Sequence, residues 1–224
     1  IRGGAFLPHR KNTAETETVS FEPKEVCIPM SQHIGAPCTP VVEKGQHVYK
    51  GTLIGQSESF VSAPIHSSGS GTVTDIIEKQ NGAAVTQYVV IVSDGLGEAD
   101  PDLKPVEINT AEDIAKAARD CGLVGLGGAG FPTHVKLSPK DLSAIDTLVV
   151  NGAECEPYIT SDYRECIENY DDVLDCIYLI KEKFDLKQVV IGVESNKPKA
   201  IKKLFQIASD KQDVEDKVKL MKLP

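Results

Sequence analysis

Residues 122–137, Gly-Leu-Val-Gly-Leu-Gly-Gly-Ala-Gly-Phe-Pro-Thr-His-Val-Lys-Leu, place five glycines in nine positions and then offer Phe131 and Lys136. Gly125, Gly127, Gly128 and Gly130 carry no Cβ, so backbone amides can lie directly against a ligand. Successive N–H groups in such a loop form a concave nest for an anion, phosphate above all. Lys136 adds a point charge for the same anion, and Phe131 a flat surface for a ring. The stretch spells G-x-G-x-x-G at Gly125, Gly127 and Gly130, which marks an ordinary dinucleotide fold only between a strand and a helix. Here a helix precedes it. Thr110 suits an N-cap, Glu112 and Asp113 the first turn, and Gly122 the C′ position. Ile114, Ala117, Ala118 and Cys121 repeat at helical spacing. The expectation is a nucleotide loop leaving a helix C-terminus, against the plainer alternative of a glycine-rich surface turn.

A second constellation is Asn151-Gly152-Ala153-Glu154-Cys155-Glu156-Pro157, which follows the apolar run Thr147–Val150. Ligands of α/β sheets bind beyond the carboxyl ends of strands, where this segment falls. Glu154 and Glu156 could be an acid/base pair, acceptors for ribose or flavin N–H groups, or solvated loop charges. Ligand contact is favoured, because the segment lies where ligands bind and Gly152 and Pro157 suggest a fixed backbone. Acid/base catalysis is less supported, since no nucleophile–base pair or metal cluster accompanies the two acids. Glu194 and Asn196 follow the next apolar run and serve equally well as site residues or loop caps. Lys197, Lys199, Lys202 and Lys203 read as a solvated helix face, and His134 as a surface residue. Cys155, a single thiol without a resolving partner, is expected to pack as a small hydrophobe.

These residues need elements to hold them. Residues 1–25 are polar and irregular, an extended arm. Residues 26–96 alternate short β-branched runs (Val41-Val42, His47–Tyr49, Thr52–Ile54, Thr72–Thr74, Tyr88–Val92) with turn signals such as Lys44-Gly45 and Gly69-Ser70-Gly71. Gly35-Ala36-Pro37 and Ser62-Ala63-Pro64 open two similar halves, which predicts a small all-β module. From residue 106 helix and strand alternate. Helices are predicted at 111–121, 162–184 and 198–209, and strands at 147–150, 188–193 and 218–223, giving a mainly parallel sheet.

The composition excludes several classes. The net charge of −9 over 224 residues argues against nucleic acid as a partner. No apolar run is long enough for a membrane span. Six cysteines at 27, 38, 121, 155, 166 and 176 form no C-x-x-C and no zinc or cluster spacing, so reduced thiols are expected. The chain opens Ile1-Arg2-Gly3-Gly4, without initiator Met or signal peptide, and is expected to be a trimmed piece.

Residues 45–51 and 62–73 resemble the lipoyl/biotinyl-carrier hammerhead. The stretch Ser57-Glu58-Ser59-Phe60-Val61, where a carrier needs its acylated lysine, has none, so the scaffold is expected without a swinging arm. Nearly the whole chain resembles the RnfC family, one of the subunits of the Rnf ion-translocating electron transport complex. The resemblance rests on the basic arm at Arg2-Gly3-Gly4, Gln32-His33-Ile34-Gly35-Ala36-Pro37 in the β module, the glycine loop, and Asn151–Pro157. The last two motifs are also similar to Gly-Arg-Gly-Gly-Ala-Gly-Phe and Asn-Gly-Asp-Glu-Ser-Glu-Pro of the NADH- and FMN-binding subunit of respiratory complex I. Leu126 stands in place of that arginine and Ala153 in place of that aspartate.

The resemblance implies an arm at 1–25, a barrel-sandwich hybrid module at 26–96, and a Rossmann-like FMN/NADH domain at 106–224 that is cut short. It implies that Gly125, Gly127, Gly128, Gly130 and Lys136 hold the FMN phosphate and that Phe131 packs on the nicotinamide dinucleotide. Asn151 and Glu154 would contact flavin, with Glu156 and Glu194 near NADH. Two [4Fe–4S] clusters are implied for the full-length protein only, with this piece inactive alone. Further implications are membrane-embedded and iron–sulfur partner subunits and a peripheral place on the cytoplasmic side of a bacterial membrane. A soluble relative such as a cobalamin reductase, or a non-catalytic adaptor docking through the β module, are the alternative readings.

Overall fold

A computed structural model of the chain describes residues 8, 10–82, 84–126, 128–210 and 218–223. It forms two compact units: residues 20–140, and residues 1–19 together with 141–224. Residues 106–140, expected with the nucleotide domain, thus group with the β module, and the start of the arm groups with the α/β elements.

The first unit, residues 20–140, holds two antiparallel sheets. One has the order β1 (Glu25–Pro29), β7 (Ala84–Ser93), β6 (Gly71–Asn81), β3 (His47–Val48); the other runs β2 (Thr39–Pro40), β4 (Leu53–Gln56), β5 (Ile65–His66). Ile28, Met30, Val48, Ile54, Ile65, Val73, Val89 and Ile91 come from both sheets and form one buried core. Alternation places these residues inward, each contributing about 1.5–3 kcal/mol by burial. The run Val41-Val42 is not a strand: Val42 is buried in the core, while the Val41 N–H donates to Ile54 O at 3.0 Å. The two echoed segments meet. Ala36 N donates to Val61 O at 3.0 Å and Ser62 Oγ to Ala36 O at 2.8 Å.

Helix α1 (Ala111–Asp120) of the same unit begins and ends as its sequence dictates. Thr110 and Asp113 form a reciprocal capping box. At the other end Gly122, at φ +68°, lets Leu123 N reach Ala118 O (2.9 Å) while its own N–H reaches Arg119 O (2.8 Å). That pair of bonds is a Schellman motif, closed by a glycine in the left-handed region.

In the other unit, β8 (Thr147–Gly152), β9 (Gln188–Glu194) and β10 (Val218–Leu223) make a parallel sheet with β9 central. Leu148, Val150, Val189, Ile191, Val193 and Leu220 share a core with Leu174 and Ile177 of α4 (Tyr170–Lys183) and Ile201 and Leu204 of α5 (Pro198–Asp210). The single helix expected at 162–184 is two, α3 (Ser161–Glu168) and α4, parted at Asn169. Asn169, at φ −118°, departs from helical geometry, although its N–H still reaches Glu165 O at 3.0 Å and its Nδ2 donates to Glu165 Oε2 at 3.0 Å. Among the described residues no helix is long and apolar enough to cross a membrane.

Candidate functional site

Each unit carries one of the two expected sets of residues. In residues 20–140 the glycine loop is pinned at its base. Val124 bridges Pro132, Gly125 N donates to Phe131 O at 3.0 Å, and Thr133 N donates to Leu123 O at 2.9 Å. Gly130, at φ +65°, docks the loop on the β module: its carbonyl accepts from Ile34 N at 3.2 Å. A Cβ there would lie 2.8 Å from Gln32 O and 3.0 Å from His33 Cα. No side chain could replace that hydrogen without displacing the neighbouring backbone.

The remaining glycines are bare for a different reason. A Cβ on Gly128 would meet nothing within 4 Å, and the nearest atoms to one on Gly125 would be the Phe131 backbone at 3.7 Å and Lys136 Nζ at 3.9 Å. A cleft of about 370 Å³ runs beside them, lined among others by Gln32, His33, Val124, Gly125, Gly128 and Gly130. The Lys136 ammonium lies 5.9 Å from the Phe131 ring centroid. Uncovered backbone, a cation and an aromatic ring therefore come together at one end of the loop. Leu126, at the loop tip, is 94% exposed. Gly127 lies outside the described residues.

In the other unit the strand ends form a buried charged cluster. Glu154, 3% exposed, receives Lys197 Nζ on Oε2 at 3.0 Å. Lys197, itself 4% exposed, pairs also with Glu194 Oε2 at 3.1 Å, joining the ends of β8 and β9. Glu154 Oε1 accepts from Asp162 N at 2.9 Å and Ser161 Oγ at 3.4 Å at the start of α3. Lys11 reaches in from the arm and donates to Glu154 O at 2.6 Å and Ile159 O at 2.8 Å, with Glu154 Oε2 at 3.4 Å. Burial pushes the Glu154 carboxyl up, but the Asp162 N–H, Lys197 and Lys11 outweigh it and hold the carboxyl below its ordinary value. Burial and the Glu154 charge push the nearby Asp162 carboxyl up. Asn151 is exposed, its Oδ1 accepting from Ala153 N at 3.1 Å, and Glu156 is half-buried.

Three readings of single residues change. Lys197 is not part of a solvated face: it precedes the helix whose first residue is Pro198, and its ammonium turns back to the strand ends. The usable signal is that proline, favoured at the first helical position, which sets Lys197 outside the helix and close to Glu194 in sequence. His134 is buried (2% exposed), with Nε2 2.8 Å from Phe60 O and its ring edge-on to Phe60. Cys155 is exposed rather than packed. The arm is no loose extension over residues 10–18. Arg10 N donates to Pro157 O at 2.9 Å, Thr13 and Thr160 hydroxyls bond at 2.8 Å, and Arg164 donates to Ala14 O at 3.2 Å. All six cysteines are free, and among the described residues no group of three or more metal-ligating side chains gathers.

Two family models match this chain, the RnfC barrel sandwich hybrid domain over residues 1–96 and the Nuo51 FMN-binding domain over residues 118–224. The C subunit of the Na(+)-translocating ferredoxin:NAD(+) oxidoreductase complex of Acetobacterium woodii is 42% identical over 212 residues. The match takes in 92% of this chain and 48% of that protein. The chain belongs to the RnfC family. The corresponding C subunit of the proton-translocating ferredoxin:NAD(+) oxidoreductase complex of Clostridium ljungdahlii is 40% identical over 215 residues, 92% of this chain and 47% of its own length. That of the ion-translocating oxidoreductase complex of Pseudomonas aeruginosa is 40% identical over 207 residues, 89% and 27%. The chain thus spans about half the length of the first two relatives. A NAD+-reducing [NiFe]-hydrogenase shares 23% identity over 55% of this chain and 23% of its own, at a TM-score of 0.39, too low to bear on the fold.

Proposed function

We propose that this chain is the FMN- and NAD(H)-binding part of a peripheral RnfC protein. In its complete form that protein passes electrons between NAD(H), FMN and two [4Fe–4S] clusters, on the cytoplasmic side of a bacterial membrane and beside membrane-embedded and iron–sulfur subunits. The observation that carries the reading is the Lys136 ammonium, 3.9 Å from where a Gly125 Cβ would lie, beside the Phe131 ring and the open Gly128. Such an arrangement fits a phosphate attached to a ring-bearing group. The strand-end unit is taken as an incomplete Rossmann-like domain, on the strength of its parallel sheet and the polar residues beyond its strand ends.

In this reading Gly127, Gly128 and Gly130 present amides to the phosphate, Gly125 closes the base of the cradle with its own N–H held on Phe131 O, and Lys136 neutralises the phosphate. Phe131 supports the nicotinamide dinucleotide. Asn151 and Glu154 serve the flavin side, and Glu156 and Glu194 the nicotinamide side. FMN, when bound, supplies the conversion between two-electron hydride chemistry and one-electron transfer. The 224-residue chain alone is expected to be inactive. The test uses the full-length protein with its clusters reconstituted, titrated with FMN and NADH in the presence of an artificial acceptor. Stoichiometric FMN binding with NADH-dependent reduction of the acceptor supports the reading; absence of both overturns it.

A further inference from the structure

Lys197 touches both carboxylates at the ends of adjacent parallel strands, although the lysines that follow it belong to a helix face. A lysine just before a helix is badly sited electrostatically, since the helix N-terminus carries partial positive charge. Burying it there is unfavourable unless anions meet it. Glu154 and Glu194 do so at 3.0 and 3.1 Å. The loop backbone also meets Glu194 directly, Glu154 N donating to Glu194 Oε2 at 3.5 Å. The ammonium shared between the two acids offsets the repulsion that their carboxylates would otherwise exert on each other.

We propose that Lys197 is a positioning residue for the cofactor site. It ties the Asn151–Pro157 loop to the end of β9, with Lys11 of the N-terminal arm as the outer partner, so that the exposed Asn151 and half-buried Glu156 face a ligand in one fixed arrangement. The proposal rests on the FMN and NAD(H) reading above. Glu154, with both oxygens engaged by Lys197, Lys11, Asp162 N and Ser161, acts in it as an anchor for the loop. The groups facing Glu154 are Lys11 from the arm, Lys197 before α5, Glu194 from β9, and Asp162 and Ser161 from α3. Glu156 on its own loop and Cys166 on α3 complete the electrostatic surroundings through Asp162. Arm and loop lie 143 positions apart in sequence, so the anchoring is tertiary in origin.

The test compares full-length wild type, Lys197→Met, Lys197→Arg and Lys11→Met by FMN fluorescence titration from about pH 6 to pH 8.5. The variant-to-wild-type ratio of Kd is read, in which titration of the FMN phosphate cancels. For Lys197→Met the ratio is expected to rise with pH by about tenfold, as the unshielded carboxylates ionise and repel. Lys197→Arg should restore a flat ratio, and Lys11→Met should shift the profile in the same direction but less. In the ligand-free protein, the Lys197→Met unfolding midpoint should fall relative to wild type as pH rises. A flat ratio for Lys197→Met and Lys11→Met, with wild type binding FMN, overturns this proposal alone. A wild type that does not bind FMN overturns the functional reading and the cofactor clause with it, while the ligand-free profile still decides the charge-sharing step.

Discussion

The glycine loop and the strand-end cluster are both polar, both follow regular elements, and both carry residues expected at a nucleotide site, yet they solve opposite problems. The loop keeps its backbone uncovered, with open space at Gly128 and the Lys136 ammonium near Gly125. In the cluster, Glu154 is sealed in by two lysines, a hydroxyl and a backbone N–H. The difference teaches what a glycine run and a carboxylate run can each supply. A loop without Cβ atoms is shaped for something that arrives, whereas buried carboxylates must be compensated before anything arrives. The loop is therefore built to receive, and the cluster is a frame that holds its own unit in place.

Breaking the frame should have the largest effect. Lys197→Met removes the shorter of the two ion pairs on buried Glu154, leaving Lys11, Ser161 and the Asp162 N–H, and should cost about 3 kcal/mol in denaturant unfolding. The double variant Lys197→Met/Glu154→Leu should recover most of that loss, since a buried pair replaced by apolar groups is close to neutral. If the double variant is no better than the single one, the cluster is not a coupled pair. The sign with pH follows from the depressed Glu154 carboxyl. Its contribution is present above the unfolded carboxyl value and is lost as pH falls through the lower folded one. Wild type should accordingly lose stability on acidification by more than Lys197→Met does, as measured by unfolding midpoints.

The loop divides internally in the same way. Gly130→Ala forces a Cβ onto the Gln32 carbonyl in a left-handed backbone and should cost about 1–2 kcal/mol from the backbone alone, with the overlap added. Thr110→Ala removes the cap of α1 just before the loop and should cost about 1 kcal/mol by thermal unfolding. Gly128→Ala, with open space around its Cβ, should leave stability within about 0.5 kcal/mol. Equal losses at Gly128 and Gly130 would erase the distinction between the docked and the bare part of the loop.

The sequence is most legible where the determinants are local. Thr110 with Asp113, Gly122 at C′, and the apolar runs that form β8, β9 and β10 each state their role within a few residues. The glycine loop is legible for the same reason. Lys197 reads as a surface residue because Lys199, Lys202 and Lys203 follow at helical spacing, and a strand-end partner 43 positions away leaves no periodic trace. The clasp of residues 10–18 is invisible in sequence because its partners lie near residues 154–168. Asn169 escapes notice inside a predicted helix because Cys166, Tyr170 and Val173 keep apolar spacing across it. The long β6–β7 hairpin outruns its short β-branched marks, since its cross-strand pairs include polar Glu78↔Gln87 and Lys79↔Thr86, which carry no hydrophobic pattern.

The most direct measurement is FMN affinity in the full-length protein for wild type, Gly128→Asp and Lys136→Glu, with unfolding midpoints taken on the same samples. Each change adds negative charge beside the bare backbone without touching the buried frame. Both variants should bind FMN at least about tenfold more weakly, through repulsion of the phosphate, while their midpoints stay close to wild type. Unchanged FMN affinity in both variants would contradict the assignment of the glycine loop as the phosphate cradle.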